Sequence, residues 1–545
     1  MIMITKKVRN AAKILVILTL ISCGGKEVAD APYLRLEGPV ELAAPEGGVR
    51  QEYVVKSNGQ WEIIRKSVQT WAEARPASGE NDGSFQVTVE ENKSGRDRSV
   101  RFTFLLNGEE VSGEEISIAQ VGNMPAWNEK GEKLNVVKLG IPAYDATIME
   151  YRRDGNPILE VEMQAPVVVA SATKPEAWGY FQFPSVYRSA GGLLVASWSM
   201  AEDNASGYGK GGGDFRVSSD LGKTWNVVER APASRTGLFF PSGDRIGIRT
   251  PAALEVSNLQ LPAPIASTKE KDGRTLTLYR LSELPEALQG VYLNHWDKND
   301  VWSEIHSELD DPRAVRHADG SLFPVIWWGD MKLLPDNSVI AGIYPMFYEN
   351  EAGGVDPSGV SFYRSFDKGI SWKIIGKIPY RYDLSVDPNG NLRKGFGYTE
   401  PAFEILADGT FLCVMRTHDG YGSSPMYISR SSDQGVTWSN PVPFTPSGVL
   451  PRLLKLGNGV LVLASGRPGV QIRFSLDGKG EKWTDPFEML PFVSAADTPS
   501  CGYTTLLATG VDSFWIVYSD FKFPDPVSGE LRKAIKIREI KVTQK

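Results

Sequence analysis

Short runs of alternating apolar and polar residues, broken every few positions by turn formers, dominate this chain. Between residues 33 and 122 they include Tyr53-Val54-Val55, Trp61-Glu62-Ile63-Ile64, Phe85-Gln86-Val87-Thr88-Val89 and Arg101-Phe102-Thr103-Phe104-Leu105. Ser57-Asn58-Gly59, Asn81-Asp82-Gly83 and Asn107-Gly108 separate them. A period of two sends successive side chains to opposite faces, so each run reads as a strand, and the Asn-Gly and Asp-Gly pairs suit the turns between strands. The pattern predicts a small all-β sandwich. Beyond residue 123 strand-like runs continue, among them Met426-Tyr427-Ile428-Ser429 and Val470-Gln471-Ile472-Arg473-Phe474, and no helix-periodic segment of length stands out.

Four of these later runs lead into one phrase, Ser-x-Asp-x-Gly-x-Thr/Ser-Trp. It reads Ser218 to Trp225, Ser365 to Trp372, Ser431 to Trp438 and, with one extra residue, Ser475 to Trp483. The Asp can bond nearby backbone N–H groups, the Gly can take positive φ and the Trp can pack beneath the turn, so each phrase closes a hairpin. From Asp220 to Asp367 is 147 residues, from Asp367 to Asp433 is 66 and from Asp433 to Asp477 is 44. A unit of roughly 45 to 50 residues is one four-stranded propeller blade, and the first gap then holds about three. The phrase resembles the Asp box of the sialidase superfamily. That resemblance implies a six-bladed β-propeller over residues 123–545, with the strand at residues 534–542 completing a blade with N-terminal residues. It does not by itself imply sialidase activity, because a fold hosts many functions.

The N-terminus changes the picture of where the chain works. Lys6, Lys7, Arg9 and Lys13 precede the apolar run Ile14 to Leu18, too short to span a bilayer but suited to a signal peptide over residues 1–23. Leu20-Ile21-Ser22-Cys23-Gly24-Gly25 resembles a bacterial lipobox, which implies lipidation of Cys23 and an exported lipoprotein at the outer membrane, facing the cell surface or the periplasm. Residues 24–32 form a polar linker. The segment 33–122, with Ser57-Asn58-Gly59-Gln60-Trp61, Trp71 and Asn92, resembles the BACON domain of Bacteroidetes polysaccharide-utilisation proteins. Carbohydrate binding and a simple spacer role both remain open for it, and Trp61 and Trp71 occupy positions that suit a core.

Composition narrows the rest. The chain has 545 residues, and a net charge of -7 gives no electrostatic reason to expect nucleic acid as a partner. Cys413 and Cys501 lie in apolar strand-like contexts and read as buried free thiols. Four scattered His residues do not suggest a metal site, and no cofactor is expected.

Candidate chemistry follows the superfamily resemblance residue by residue. The stretch Tyr398-Thr399-Glu400-Pro401 to Met415-Arg416, turning at Asp408-Gly409, resembles the segment carrying a catalytic Glu and a substrate-clamp Arg. Cys501-Gly502-Tyr503-Thr504 resembles the segment carrying the nucleophilic Tyr. A sialic acid has a carboxylate on the carbon under attack, so a neutral phenol approaches where a carboxylate nucleophile would be repelled. Tyr503 is then the nucleophile and Glu400 its base. A structural Glu400–Arg416 ion pair and a core Tyr503 are the competing readings. Asp203 is the candidate acid, partly desolvated on a Gly-rich loop, with Glu202 and Asp214 as rivals. The third clamp Arg is expected at Arg467, with Arg452 as a further candidate. Tyr180-Phe181-Gln182-Phe183-Pro184 carries Gln182 where the first clamp Arg belongs, a loss of roughly 1 to 3 kcal/mol of charge-assisted bonding. His306, Glu308, Asp330, Trp327 and Trp328 form an additional constellation, either sugar-binding or core. These features imply an exo-acting glycoside hydrolase removing a terminal acidic sugar from a glycan. The alternatives are a changed sugar specificity or a non-catalytic glycan-binding propeller.

Overall fold

The alternating runs pair as their period requires. In the computed structural model the described residues are 31–545 except 46, 66–70, 93–97, 121–134, 140–145, 154–155, 211, 235, 419–423, 468 and 491–497. Cys23, the whole of residues 1–23 and most of the 24–32 linker lie outside them. The protein is all-β, its only helical elements among the described residues being short 3₁₀ turns. It divides into two compact units, the smaller built from the segments up to Leu42, Val49–Glu90 and Val100–Ile118, the larger from Ala43–Gly48, Glu91–Ser99 and Ala119–Lys545.

The smaller unit has two sheets, one centred on Val49–Ser57 and Gly83–Val89, the other on Arg98–Leu106 and Glu109–Gln120. Tyr53 and Phe85 stack at 5.1 Å, with Trp61 and Phe104 against Phe85. Trp61 and Trp71 are both buried, as a core role requires.

The larger unit is a succession of antiparallel meanders. We label only the strand of each that lies nearest one shared cavity: β1 (Tyr180–Arg188), β2 (Arg245–Arg249), β3 (Trp328–Leu333), β4 (Tyr398–Ile405), β5 (Val449–Lys455) and β6 (Thr504–Ala508). From β4 the chain runs outward through Phe411–Thr417, Met426–Ser431 and Val442–Thr445, and from β5 through Leu461–Gly466, Val470–Ser475 and Phe487–Leu490. β6 pairs with Ser513–Pro524, which pairs with Leu531–Gln544. Asn156–Met163 and Val167–Ser171 then add to Leu531–Gln544, so the C-terminal strand does join N-terminal residues. The meanders of β2 and β3 are not separate sheets. Glu308–Asp310 pairs in parallel with Ser371–Lys373 and merges them into one sheet of 13 strands.

The four Asp boxes hold the outer hairpins as the sequence suggests. In the first, Ser218 Oγ donates to Asp220 at 2.8 Å, Asp220 accepts the Thr224 N–H at 2.9 Å, and Trp225 Nε1 donates to the Gly222 carbonyl at 3.0 Å. The same indole-to-glycine bond recurs at Trp372, Trp438 and Trp483. Gly222, Gly369, Gly435 and Gly480 all have positive φ. Trp327 packs edge-on against Trp372 at 5.0 Å and is core. Cys413 and Cys501 are buried and unbridged.

Candidate active site

Three of the inner strands share a device that positions the site. β1, β4 and β5 each carry a bulge, between Gln182 and Ser185, Thr399 and Ala402, and Val449 and Arg452 respectively. Each bulge holds a non-glycine residue at positive φ just before a proline: Phe183 (52°), Glu400 (48°) and Leu450 (41°). Proline has no N–H to give a ladder and is tolerated at bulges and on edge strands, the place an innermost strand occupies. Left-handed backbone at non-glycine residues costs of order 1 to 3 kcal/mol each and is characteristic of sites where a side chain must be re-aimed. Here the bulges bring Phe183, Glu400 and Leu450 to the wall of a ≈1280 Å³ cavity.

Glu400 and Arg416 are both only 7% exposed. Arg416 Nη1 donates to Glu400 Oε1 at 2.7 Å and to the Tyr503 hydroxyl at 3.1 Å. Tyr503 donates its hydroxyl proton to the same Glu400 Oε1. The second carboxylate oxygen accepts the Leu450 N–H at 2.7 Å, so the β5 bulge fixes the Glu400 side chain. Phe183 meets the Tyr503 ring edge-on at 4.9 Å. Burial pushes the Tyr503 phenol well above its ordinary range and the Glu400 charge adds to this, while Arg416 and Arg467 oppose it. The phenol is therefore neutral near pH 7 and already bonded to a base.

Arg467 and Arg452 line the same wall. Arg467 lies over the Tyr503 ring at 5.8 Å and over Trp178 at 5.6 Å, and its Nε donates to the Cys501 carbonyl at 3.2 Å. Arg452 Nε donates to the Thr504 carbonyl at 3.3 Å. Arg416, Arg452 and Arg467 thus face the cavity together with the Glu400 carboxylate. Asp203 also lines it but is exposed, not partly desolvated as the sequence suggested, and accepts the Trp178 indole N–H at 3.2 Å. Glu202 lines the cavity as well. Asp214 instead bonds Arg216 at 2.7 Å.

Gln182 is a correction. Its side chain is 0% exposed and is not among the cavity-lining residues, because the bulge that turns Phe183 toward Tyr503 leaves Gln182 on the buried side of β1. The constellation of Glu308, Asp330, His306, Trp327 and Trp328 also disperses. Trp328 alone reaches the cavity, and His306 stacks on Tyr292 at 4.2 Å.

Sequence reasoning missed a second charged stretch of the cavity wall. Asp272 and Arg274, on the turn between Ala266–Lys269 and Thr275–Arg280, meet Asp319, at the end of Ala314–Asp319. Arg274 Nε donates to Asp272 at 2.9 Å and Nη1 to Asp319 at 3.0 Å. Phe396 lies under the guanidinium at 5.4 Å, and Phe396 and His418 also line the cavity. Lys271-Asp272-Gly273-Arg274 is legible as a turn, yet nothing in it tells which way the turn points. Tyr208 also lines the cavity and packs edge-on against Trp328 at 5.1 Å. Its phenol is pushed up to about 12, by burial first and then by Asp203. Among the described residues no group of three or more His, Cys, Asp or Glu could hold a metal ion.

No family model matches the chain, and no curated protein matches it. Among solved structures it is similar to a Dyadobacter fermentans protein of unknown function, at 17% identity and a TM-score of 0.42, over 70% of this chain and 99% of that one. It is also similar to a Trypanosoma rangeli sialidase in complex with the inhibitor DANA, at 12% identity and a TM-score of 0.34, over 74% of this chain and 59% of that one. A GH43 beta 1,3 galactosidase with galactodeoxynojirimycin aligns at 10% identity and a TM-score of 0.28, over 50% of this chain and 94% of that one. At these values none of the three carries an argument about the chemistry of this chain.

Proposed function

We propose that the protein is an exo-acting retaining glycosidase that removes a terminal acidic sugar, sialic acid or a relative, from glycans. The observation that carries this reading is the hydrogen-bonded trio of Tyr503, Glu400 and Arg416 opening on a cavity wall with two further guanidinium groups. Arg416, Arg467 and Arg452 hold the sugar carboxylate, since guanidinium forks match a carboxylate bidentately. The Tyr503 oxygen attacks the anomeric carbon as its proton passes to Glu400, and Asp203 protonates the departing glycosidic oxygen. In the second step water gives a proton to Asp203 and attacks the same carbon, while Glu400 returns its proton to the leaving Tyr503 oxygen. The net configuration is retained.

One observation favours a changed sugar specificity as the second reading. The position that the resemblance would fill with a clamp Arg holds Gln182, a neutral amide that does not line the cavity. On the sequence of residues 1–23 we further propose an exported chain anchored through lipid on Cys23, with the β-sandwich as a spacer. The test is incubation of the purified protein with fluorogenic α-sialosides, uronides and rhamnosides. Turnover of an acidic substrate, abolished in Tyr503→Phe, supports the reading. Glycan binding unaffected by Tyr503→Phe, with no turnover of any substrate, replaces it with a non-catalytic glycan-binding role.

A further inference from the structure

Asp203 and Arg467 come from segments far apart in the chain, yet one side chain touches both. The Trp178 indole Nε1 donates to Asp203 Oδ2 at 3.2 Å, and the Arg467 guanidinium lies 5.6 Å from the centre of the Trp178 ring. The same guanidinium lies 5.8 Å from the Tyr503 ring, so contacts run unbroken from Asp203 through Trp178 and Arg467 to Tyr503. Of these four, Trp178 alone does not line the cavity. Its own backbone is held in place. Lys533 Nζ donates to the carbonyls of Ala177 and Tyr180, at 2.6 and 3.1 Å. Beside it Gly179, at a φ of +100°, lies so close to the Asp203 loop that a Cβ there would sit 2.4 Å from the Ala201 carbonyl oxygen and 2.7 Å from the Asp203 nitrogen. Glycine alone allows both that backbone and that approach. The turn that bears Trp178 is thus seated on the loop that bears Asp203.

We propose that Trp178 is a positioning residue, which holds Asp203 and Arg467 in fixed relation to Tyr503. The inference rests on the acidic-sugar reading above and deepens it. With Oδ2 bonded to the indole N–H, Oδ1 is the oxygen that carries the proton for the departing group. As Tyr503 bonds to the anomeric carbon and the glycosidic C–O bond breaks, the Oδ1–H bond breaks and a new O–H bond forms on the alcohol that leaves. Asp203 is then a carboxylate, and the indole bond to it becomes charge-assisted and stronger. A bond that strengthens along the reaction lowers the barrier rather than only tightening binding. The ring acts separately: an aromatic face under the guanidinium attracts it and steadies its fork, so Arg467 stays aimed at the sugar carboxylate. A group that departs without a proton does not sense the indole bond, whereas one that needs the proton does.

The test is kcat/KM of the full chain, in wild type, Trp178→Phe and Trp178→Leu, on α-sialosides and uronides, each as the 4-nitrophenyl and as the methyl glycoside. Thermal unfolding checks that both variants fold. kcat/KM reports the first, glycosyl-transferring step, in which nitrophenolate leaves without a proton and methanol requires one. Trp178→Phe keeps a ring for Arg467 and removes the N–H. For the sugar acid that wild type releases, we expect kcat/KM on the methyl glycoside to fall about tenfold, as for loss of a hydrogen bond to a charged group, and on the nitrophenyl glycoside less than about twofold. Trp178→Leu should add a further fall of about threefold common to both, because Arg467 holds the carboxylate whichever group leaves. Equal changes on the two glycosides in Trp178→Phe, or none, overturn the positioning of Asp203 and leave the Tyr503 reading intact. Equal values in the two folded variants overturn the positioning of Arg467. If wild type hydrolyses only nitrophenyl glycosides, no acid assists departure and the positioning of Asp203 falls as well. Failure of wild type to hydrolyse any acidic glycoside overturns the Tyr503 reading and the role of Trp178 with it.

Discussion

The two walls of the cavity use the same residue types in opposite ways. On the Tyr503 wall Glu400 and Arg416 are buried, and Glu400 is held by a bulge at a fixed place on its strand. On the other wall Arg274 and Asp272 are about 40% exposed, 38% and 40% respectively, and sit on a hairpin turn. A buried ion pair has lost its water and depends on its partner, whereas an exposed one exchanges partner for solvent at little cost. The first wall therefore couples charge placement to folding more tightly than the second, where only Asp319 is strongly shielded, at 10% exposure.

The sharpest way to break this comparison is the nucleophile. Tyr503→Phe should lower kcat at least about 10³-fold with an acidic fluorogenic substrate while the unfolding midpoint changes little. A retained rate would remove Tyr503 from the chemistry. Next comes the pair itself. Arg416→Met leaves the Glu400 carboxylate buried without its cation and should cost about 3 to 5 kcal/mol in urea unfolding. Arg274→Met should cost less, about 1 to 2 kcal/mol, because Asp272 is exposed and only Asp319 is shielded. Equal costs would mean that the walls do not differ as described.

A third experiment uses pH behind the Arg274 wall. His317 packs edge-on against Phe347 and Phe396 at 5.5 Å each. Burial, then Arg316 and Arg274, lower its pKa from 6.5 to about 3. The unfolded chain takes up this proton first on acidification, so the His317 contribution is intact above pH 6.5 and is lost as pH falls from 6.5 toward 3. His317→Phe should flatten the slope of unfolding free energy across that window, and an unchanged slope would show that His317 carries no such penalty.

The smallest effect belongs to the hairpins that hold the outer edge. Asp433 accepts the Ser431 hydroxyl at 2.7 Å, the Thr437 N–H at 2.8 Å and the Thr437 hydroxyl at 2.5 Å. Asp433→Asn should destabilise by about 1 kcal/mol in thermal unfolding, as for one weakened cluster of exposed bonds, with kcat untouched. A fall in kcat would tie the boxes to the site directly.

Glu400, Arg416 and Tyr503 were legible because the phrases that carry them, Tyr398-Thr399-Glu400-Pro401, Met415-Arg416 and Cys501-Gly502-Tyr503-Thr504, resemble superfamily segments with those residue types. Gln182 was misplaced for a physical reason. A match of phrases places a residue by its neighbours and not by the face of its strand, and the bulge in β1 shifts the register at that residue. The recurring X-Pro on β1, β4 and β5, as Phe183-Pro184, Glu400-Pro401 and Leu450-Pro451, was a signal available in the sequence for those bulges. Asp272, Arg274 and Asp319 gave no such signal, because their hairpins fall in the long interval between the first two boxes, where no repeat anchors the register.

By itself the sequence determined the all-β character, the boundaries of alternation and the hairpins closed by Ser-x-Asp-x-Gly-x-Thr/Ser-Trp. These depend on local physics: side-chain period, turn conformation and bonds within eight or nine residues. Only the tertiary structure decided which residues meet across the cavity. Tyr503 and Glu400 are 103 residues apart in sequence, and Arg274 and Asp319 are 45 apart. Such pairings are set by strand bulges and by where inserted hairpins point, and both are resolved only when all the strands pack together.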